Sequence, residues 1–102
     1  MATQDFIWAT GRRKSAVAQV RIKPGTGRYK VNGRPFDDFF CAEAVRGYIN
    51  QPMVVTDSLG KLDVEATIKG GGSVGQAGAM RHGLARALTK YDETLRAVLK
   101  NS

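Results

Sequence analysis

Lys69-Gly70-Gly71-Gly72-Ser73-Val74-Gly75-Gln76-Ala77-Gly78-Ala79-Met80-Arg81-His82-Gly83-Leu84-Ala85-Arg86-Ala87-Leu88 is the stretch on which the fold turns. Three consecutive glycines follow a strand-like run and lead into a helix-like one. Glycine lets the backbone take φ > 0 and lets a second backbone come close. The first N–H groups of the helix have no intrahelical acceptors, so the junction suits an anion. From Ala66 to Tyr91 there is no acid, while Lys69, Arg81, Arg86 and Lys90 are basic. On a helical wheel Ala77, Met80, Leu84, Ala87, Leu88 and Tyr91 share one arc, the expected core face. Gly75, Gly78, Ala79, His82, Arg86, Thr89 and Lys90 share the opposite arc. Each glycine inside the helix costs about 1 kcal/mol relative to alanine. Such an expense has two readings: a smooth basic surface for a phosphate backbone, or close packing against another backbone of the same fold.

The run before the glycines is equally clear. Leu62, Val64, Ala66 and Ile68 alternate with Asp63, Glu65, Thr67 and Lys69, the period of a half-buried strand. Ala16, Ala18, Val20 and Ile22 alternate with Gln19, Arg21 and Lys23 in the same way. Pro24-Gly25-Thr26-Gly27 is turn chemistry, and Arg28-Tyr29-Lys30-Val31 reads as a returning strand, so the pair is expected to form a hairpin. Asn32-Gly33 marks another turn. Upstream, Phe6-Ile7-Trp8-Ala9 reads as a strand that Gly11 breaks.

Asp37 or Asp38 is expected to cap a helix running to about Asn50, with Phe40, Ala44, Val45, Tyr48 and Ile49 inward. Pro52 ends it, since proline disfavours helix at the residue before it. Met53-Val54-Val55 then reads as a short strand and Asp57 to Lys61 as a polar bend. Asp92 caps a last helix with Leu95, Val98 and Leu99 on its apolar side. Phe36, Phe39 and Phe40 could stack bases, but their spacing beside a cap points to core. The order (strand, hairpin, helix, strand, strand, helix, helix) predicts an α/β chain of α+β character. It is a two-layer domain, a mixed four- to five-stranded sheet with its helices on one face.

Length and charge limit the functions available. At 102 residues the chain is read as one domain, 1–102. Its 16 Lys+Arg against 9 Asp+Glu give a net charge of +7, which favours a polyanionic partner. Eight of the basic residues (Arg12, Arg13, Lys14, Arg21, Lys23, Arg28, Lys30, Arg34) fall between Gly11 and Arg34 with no acid among them. Generic solvated surfaces mix both signs. A lone Cys41 cannot form an internal disulfide, as expected of a reducing compartment. With no membrane-length apolar run, the chain reads as soluble and cytosolic.

A catalytic reading lacks parts. Gly70-x-Gly72-x-x-Gly75 matches the dinucleotide fingerprint formally, but that fingerprint needs a further strand ending in a ribose-binding acid. Asp92 and Glu93 fall near the right distance yet look like a helix cap. The phosphate loop of nucleotide triphosphatases needs Gly-Lys-Ser/Thr, and Gly75-Gln76-Ala77 does not supply it. His82, the only histidine, has no carboxylate at i±3 or i±4 and no nucleophile beside it. No metal cluster and no cofactor are expected.

Three runs together resemble one family: Thr10-Gly11-Arg12-Arg13-Lys14-Ser15-Ala16, Ile22-Lys23-Pro24-Gly25-Thr26-Gly27, and Lys69 to Leu88. They are similar to the small-subunit ribosomal protein nine family, as are Gln51-Pro52 and Tyr91-Asp92-Glu93-Thr94-Leu95-Arg96. The resemblance covers nearly the whole chain. It implies a left-handed crossover, a place in the head of the small subunit, binding to small-subunit ribosomal RNA, neighbouring ribosomal proteins as partners, and no enzymatic activity. Arg12, Arg13 and Lys14 match the family's basic motif; Lys69, Gly70, Gly71, Gly72, Gln76, Arg81, His82 and Arg86 match its glycine-rich loop and helix. Lys23 and Lys90 join them as expected RNA contacts. Family members carry a Lys/Arg-rich tail that reaches toward transfer RNA; this sequence ends at Ser102, so no transfer RNA contact is expected of it. Two readings compete: a small nucleotide- or phosphate-binding enzyme domain using the Gly70–Gly75 loop, and a protein-interaction module using an open sheet face.

Overall fold

The computed structural model describes residues 6–100. Five strands form one mixed sheet in the order β1-β2-β5-β3-β4. They are β1 (Ile7–Arg13), β2 (Ala16–Pro24), β3 (Tyr29–Val31), β4 (Arg34–Pro35) and β5 (Leu62–Lys69). The two alternating runs are the strands at its centre, paired antiparallel from Val17↔Lys69 to Pro24↔Leu62. Ala16, Ala18, Val20 and Ile22 are buried on one face, as are Leu62, Val64, Ala66 and Ile68, while Gln19 is exposed on the other.

The expected hairpin of β2 with β3 is not formed. β2 pairs instead with β1, across Lys14-Ser15, in the register Arg13↔Ala16 to Ile7↔Ile22. β3 lies on the far side of β5 and runs parallel to it, Tyr29↔Val64 to Val31↔Ala66. The β1–β2 turn carries no Asn-Gly or Asp-Gly signal; Lys14 itself takes the left-handed conformation at φ 55. The Pro24–Gly27 segment does turn, but its geometry is set by a distant residue. Asp63 Oδ1 accepts the N–H groups of Thr26, Gly27 and Arg28 at 3.0, 3.2 and 3.0 Å, which swings the chain across β5 rather than back along β2. The Asn32-Gly33 turn is present, and the Asn32 side chain extends the β3–β5 ladder: it accepts from Ile68 N–H at 2.8 Å and donates to Ile68 O at 3.1 Å.

The single helix expected after Asp37 is two. α1 (Phe36–Phe39) stops at Phe40, and α2 runs from Glu43 to Val55. Arg46 Nη1 donates to the carbonyls of Phe40 and Cys41, both at 2.8 Å, and so fixes the bend between them. Pro52 lies inside α2 instead of ending it, and Met53 to Val55 are helical rather than a strand. Burial explains this: Ile49, Pro52 and Met53 are all buried, and their apolar packing outweighs one missing N–H. Phe40 and Ile49 are buried as expected and Val45 packs against the core. Tyr48 and Ala44 are exposed, because the inward stripe of α2 runs through Val45, Ile49, Pro52 and Met53 and leaves positions 44 and 48 to one side.

α3 (Ser73–Tyr91) follows the glycines as expected, with Ala77, Met80, Leu84, Ala87 and Leu88 buried. Tyr91, placed on the core face by the wheel, is 41% exposed. Gly75, Gly78 and Ala79, placed on the outer face, are buried. The cause is that α3 is covered on two sides, by β1 and β2 and by α2. A Cβ on Gly11 would overlap the Ala79 carbonyl and the Gly83 N–H, and one on Gly83 would stand 2.6 Å from Val20 Cγ2. Gly11 therefore does not break β1; it is where the helix backbone rests on the strand. A 3₁₀ turn (Glu93–Leu95), capped by Asp92 as expected, and α4 (Arg96–Lys100) are the last described elements. Leu95 and Leu99 pack on the core; the side chain of Val98 lies outside the described residues.

Two alanine substitutions separate these roles. Gly11→Ala is expected to lower the unfolding free energy in urea by about 1–3 kcal/mol, as overpacking does. Gly47→Ala, in an exposed stretch of α2 with nothing within 4 Å, is expected to raise it by about 1 kcal/mol.

Candidate nucleic-acid interface

The β5–α3 turn lies on the β1–β2 turn. Gly70 and Gly71 have φ of 76° and 68°, and added Cβ atoms there would meet Ser15 O at 2.6 Å and Ala16 Cβ at 2.9 Å. The two basic segments, distant in sequence, therefore share one surface. Arg13 lies along α3, its side chain over Gly78 and its carbonyl beside Gly75. The buried helix glycines are thus the seat of an arginine and a strand, and close packing within the fold is the reading that holds for Gly75 and Gly78.

At the start of α3 the N-cap is Gly72, with no side-chain hydrogen bond and no acid in the first turn. Gln76 Nε2 donates to Gly70 O at 3.2 Å and steadies the loop. Among the described residues no side chain caps the positive end of this helix, to which an anion is attracted. Behind it a shallow depression of about 440 Å³ is lined by Arg12, Arg13, Arg81 and His82 over Tyr48 and Gly78. The Arg81 guanidinium stands 4.6 Å from the Tyr48 ring centroid, which holds the charge in place by cation–π attraction. His82 Nδ1 accepts from Arg12 N–H at 3.4 Å, which leaves Nε2 as a donor toward solvent. Among the described residues the ion pairs are Arg21–Glu65, Lys61–Asp57 and Arg96–Glu93. The cations of Arg12, Arg13, Lys14, Lys69, Arg81 and Arg86 take no part in them.

Not every expected contact residue gathers here. Arg12, Arg13, Lys14, Gly70, Gly71, Gly72, Gln76, Arg81 and His82 do. Lys69 ends β5 opposite Val17, at the rim and on the open sheet face. Arg86 is exposed farther along α3. Lys90 is about 27 Å from Gly72 along the helix; it donates to Trp8 O at 3.0 Å. Lys23 belongs to the far end of β2, paired in register with Asp63 and 4.9 Å from the Phe6 ring centroid. Tyr48 and Ser15 were not legible as parts of the site, since nothing in their spacing reports contact with Arg81 or Gly70.

Among the described residues the catalytic arrangements weighed above are not assembled. The polar neighbour of His82 is a backbone N–H, not a carboxylate. After α3 come a 3₁₀ turn and α4, with no strand among the described residues. Asp92 Oδ1 accepts Thr94 N–H at 3.0 Å, so the acid at the ribose-binding distance serves as a cap. No group of three or more potential metal ligands occurs among the described residues, and no described helix is long and apolar enough to cross a membrane.

The fold is that of a small basic α+β domain whose cations gather around an uncapped helix start. A family model described as Ribosomal protein S9/S16 matches residues 11–102, and the chain belongs to that family. It is thus a ribosomal protein of the small subunit, an RNA-binding component of a ribonucleoprotein that serves translation, and the family is structural rather than enzymatic.

Asp63 sets a pH limit on the sheet end that carries Lys23. The Arg28 N–H foremost, and then those of Thr26 and Gly27 with the Arg28 charge, hold its carboxyl below the ordinary 3.8 against the opposing effect of desolvation. A carboxylate lowered on folding stabilises above its unfolded pKa, and that contribution is lost as pH falls through the folded value. Chemical denaturation at successive pH values should show native stability dropping more steeply below about pH 4 than that of Asp63→Asn.

Proposed function

We propose that the protein binds ribosomal RNA of the small-subunit head through phosphate contacts, as one domain spanning 1–102 of the cytoplasmic ribosome. The observation that supports this most is the meeting of Arg13 and Lys14 with the uncapped start of α3 (Ser73–Tyr91), with Arg12 beside His82 farther along the same helix. Phosphates sit at the α3 N–H groups and on the hairpin cations, with Gln76 and His82 as further donors and Arg81 and Arg86 carrying the surface along the helix. Lys69 joins from the rim. Such contacts fix an RNA helix by shape and backbone position and carry little sequence information. Lys23 and Lys90 lie away from this patch and contribute only if the RNA extends around the sheet. Neighbouring head proteins are partners in this proposal; a transfer RNA contact is not assigned to any of these residues. A small nucleotide-binding enzyme domain would instead need a pocket that ATP saturates.

Binding of a head RNA fragment across a salt series tests the reading. Each phosphate contact contributes about 0.7–0.9 to the salt slope. Replacing Arg12, Arg13 and Lys14 together by alanine should weaken binding and flatten the slope by about two to three units. An unchanged slope, or displacement of the RNA by low concentrations of ATP, contradicts it.

A further inference from the structure

The face of the sheet away from the helices carries its own cations and an aromatic ring. Ala9 is 2% exposed and faces the core, so its neighbour Trp8 points to the open face and is 53% exposed. Tryptophan is highly buried on average; an exposed one on an edge strand has apolar area for something to cover. Register then places a row across the sheet: Trp8 opposite Arg21, Arg21 opposite Glu65, Glu65 opposite Lys30. At about 4.8 Å between strands this row is about 14 Å long. Lys23 follows Arg21 on the same face two residues along β2.

Among the described residues the carboxylates of this face, Glu65 and Asp63, are already engaged. Glu65 pairs with Arg21 at 3.4 Å, and Asp63 holds the N–H groups of Thr26 to Arg28. Arg21 Nη2 also reaches Thr67 Oγ1 at 3.5 Å, while its Nε is buried without an acceptor. The remaining charge is positive: Lys30 and Lys69 have no ion pair among the described residues, and Lys90 stands 5.6 Å from the Trp8 ring centroid. Lys90 also occupies the Trp8 carbonyl on the outer edge of β1, which hinders addition of a partner strand there.

We infer that this open face is a second RNA surface, one that takes an unpaired strand by stacking a base on Trp8 and seating adjacent phosphates along Arg21, Lys23 and Lys30. It rests on the RNA-binding reading of the protein, and is separate from the hairpin–helix surface. Base–aromatic stacking is indifferent to sequence, and a basic groove tracks the backbone. The excess of cations favours RNA over a protein strand as the occupant.

Trp8 is the only tryptophan of the chain, so its emission reports this face alone. The test titrates the 102-residue chain with a short oligouridylate and with an RNA duplex, reading tryptophan emission and RNA anisotropy side by side. Oligouridylate should quench Trp8. Trp8→Leu should weaken oligouridylate binding by about fivefold to a hundredfold and leave duplex affinity unchanged, while Trp8→Phe restores most of the loss. Arg13→Ala with Lys14→Ala should weaken the duplex and leave the quenching in place. Anisotropy that saturates with unchanged Trp8 emission, together with full affinity in Trp8→Leu, overturns the open-face site and leaves the hairpin–helix surface standing. No binding of either RNA at low salt overturns both.

Discussion

The backbone of α3 rests on the backbone of β1, at Gly11 against Ala79 and Gly83, and the rest of the arrangement depends on that approach. A methyl group at either glycine would push the helix outward. With the helix held in, Arg13 lies across Gly78, and the β5–α3 turn lands on Ser15 and Ala16. The same contact sets the helix deep enough for Met80, Leu84 and Leu88 to be fully buried against the sheet. Each contributes roughly 1.5–3 kcal/mol of apolar burial. Stability and site geometry thus share one cause: small residues at a strand–helix crossing.

Charge is arranged around this crossing with little internal compensation. The ion pairs among the described residues lie elsewhere, on the open face and in turns, and are partly or largely exposed. Exposed pairs of that kind contribute about 0–1 kcal/mol. The cations near the helix start repel one another and the helix dipole, a cost that a polyanion removes on binding. A family whose members are structural parts of a ribonucleoprotein has a use for a surface that is relaxed only against RNA.

Much of this was legible in residue order, and the failures have physical reasons. β2, β5 and α3 declared themselves because each buries one face, so their periods are unambiguous; the glycine-rich junction and the basic cluster at the end of β1 were visible as local composition. Strand pairing was not legible, because the residue that steers the Pro24–Gly27 turn is Asp63, which is far away in sequence. Gly11 looked like a breaker because glycine marks a turn and a close approach with the same letter. Pro52 looked like a terminator because propensity is local, whereas the burial of Ile49, Pro52 and Met53 that overrides it is tertiary. The helix glycines divided two readings for lack of a neighbour: only the fold supplies Arg13 and β1.

The central claim is that the β1–β2 hairpin tip and the start of α3 act as one phosphate-binding surface. Amide chemical shifts of the chain, followed by NMR during titration with a head RNA fragment, address it most directly. The account predicts that Lys14 and Ser15 shift together with Gly70 to Gly75, along one binding curve with a common midpoint. Shifts confined to one of the two segments, or two curves with separate midpoints, would contradict it.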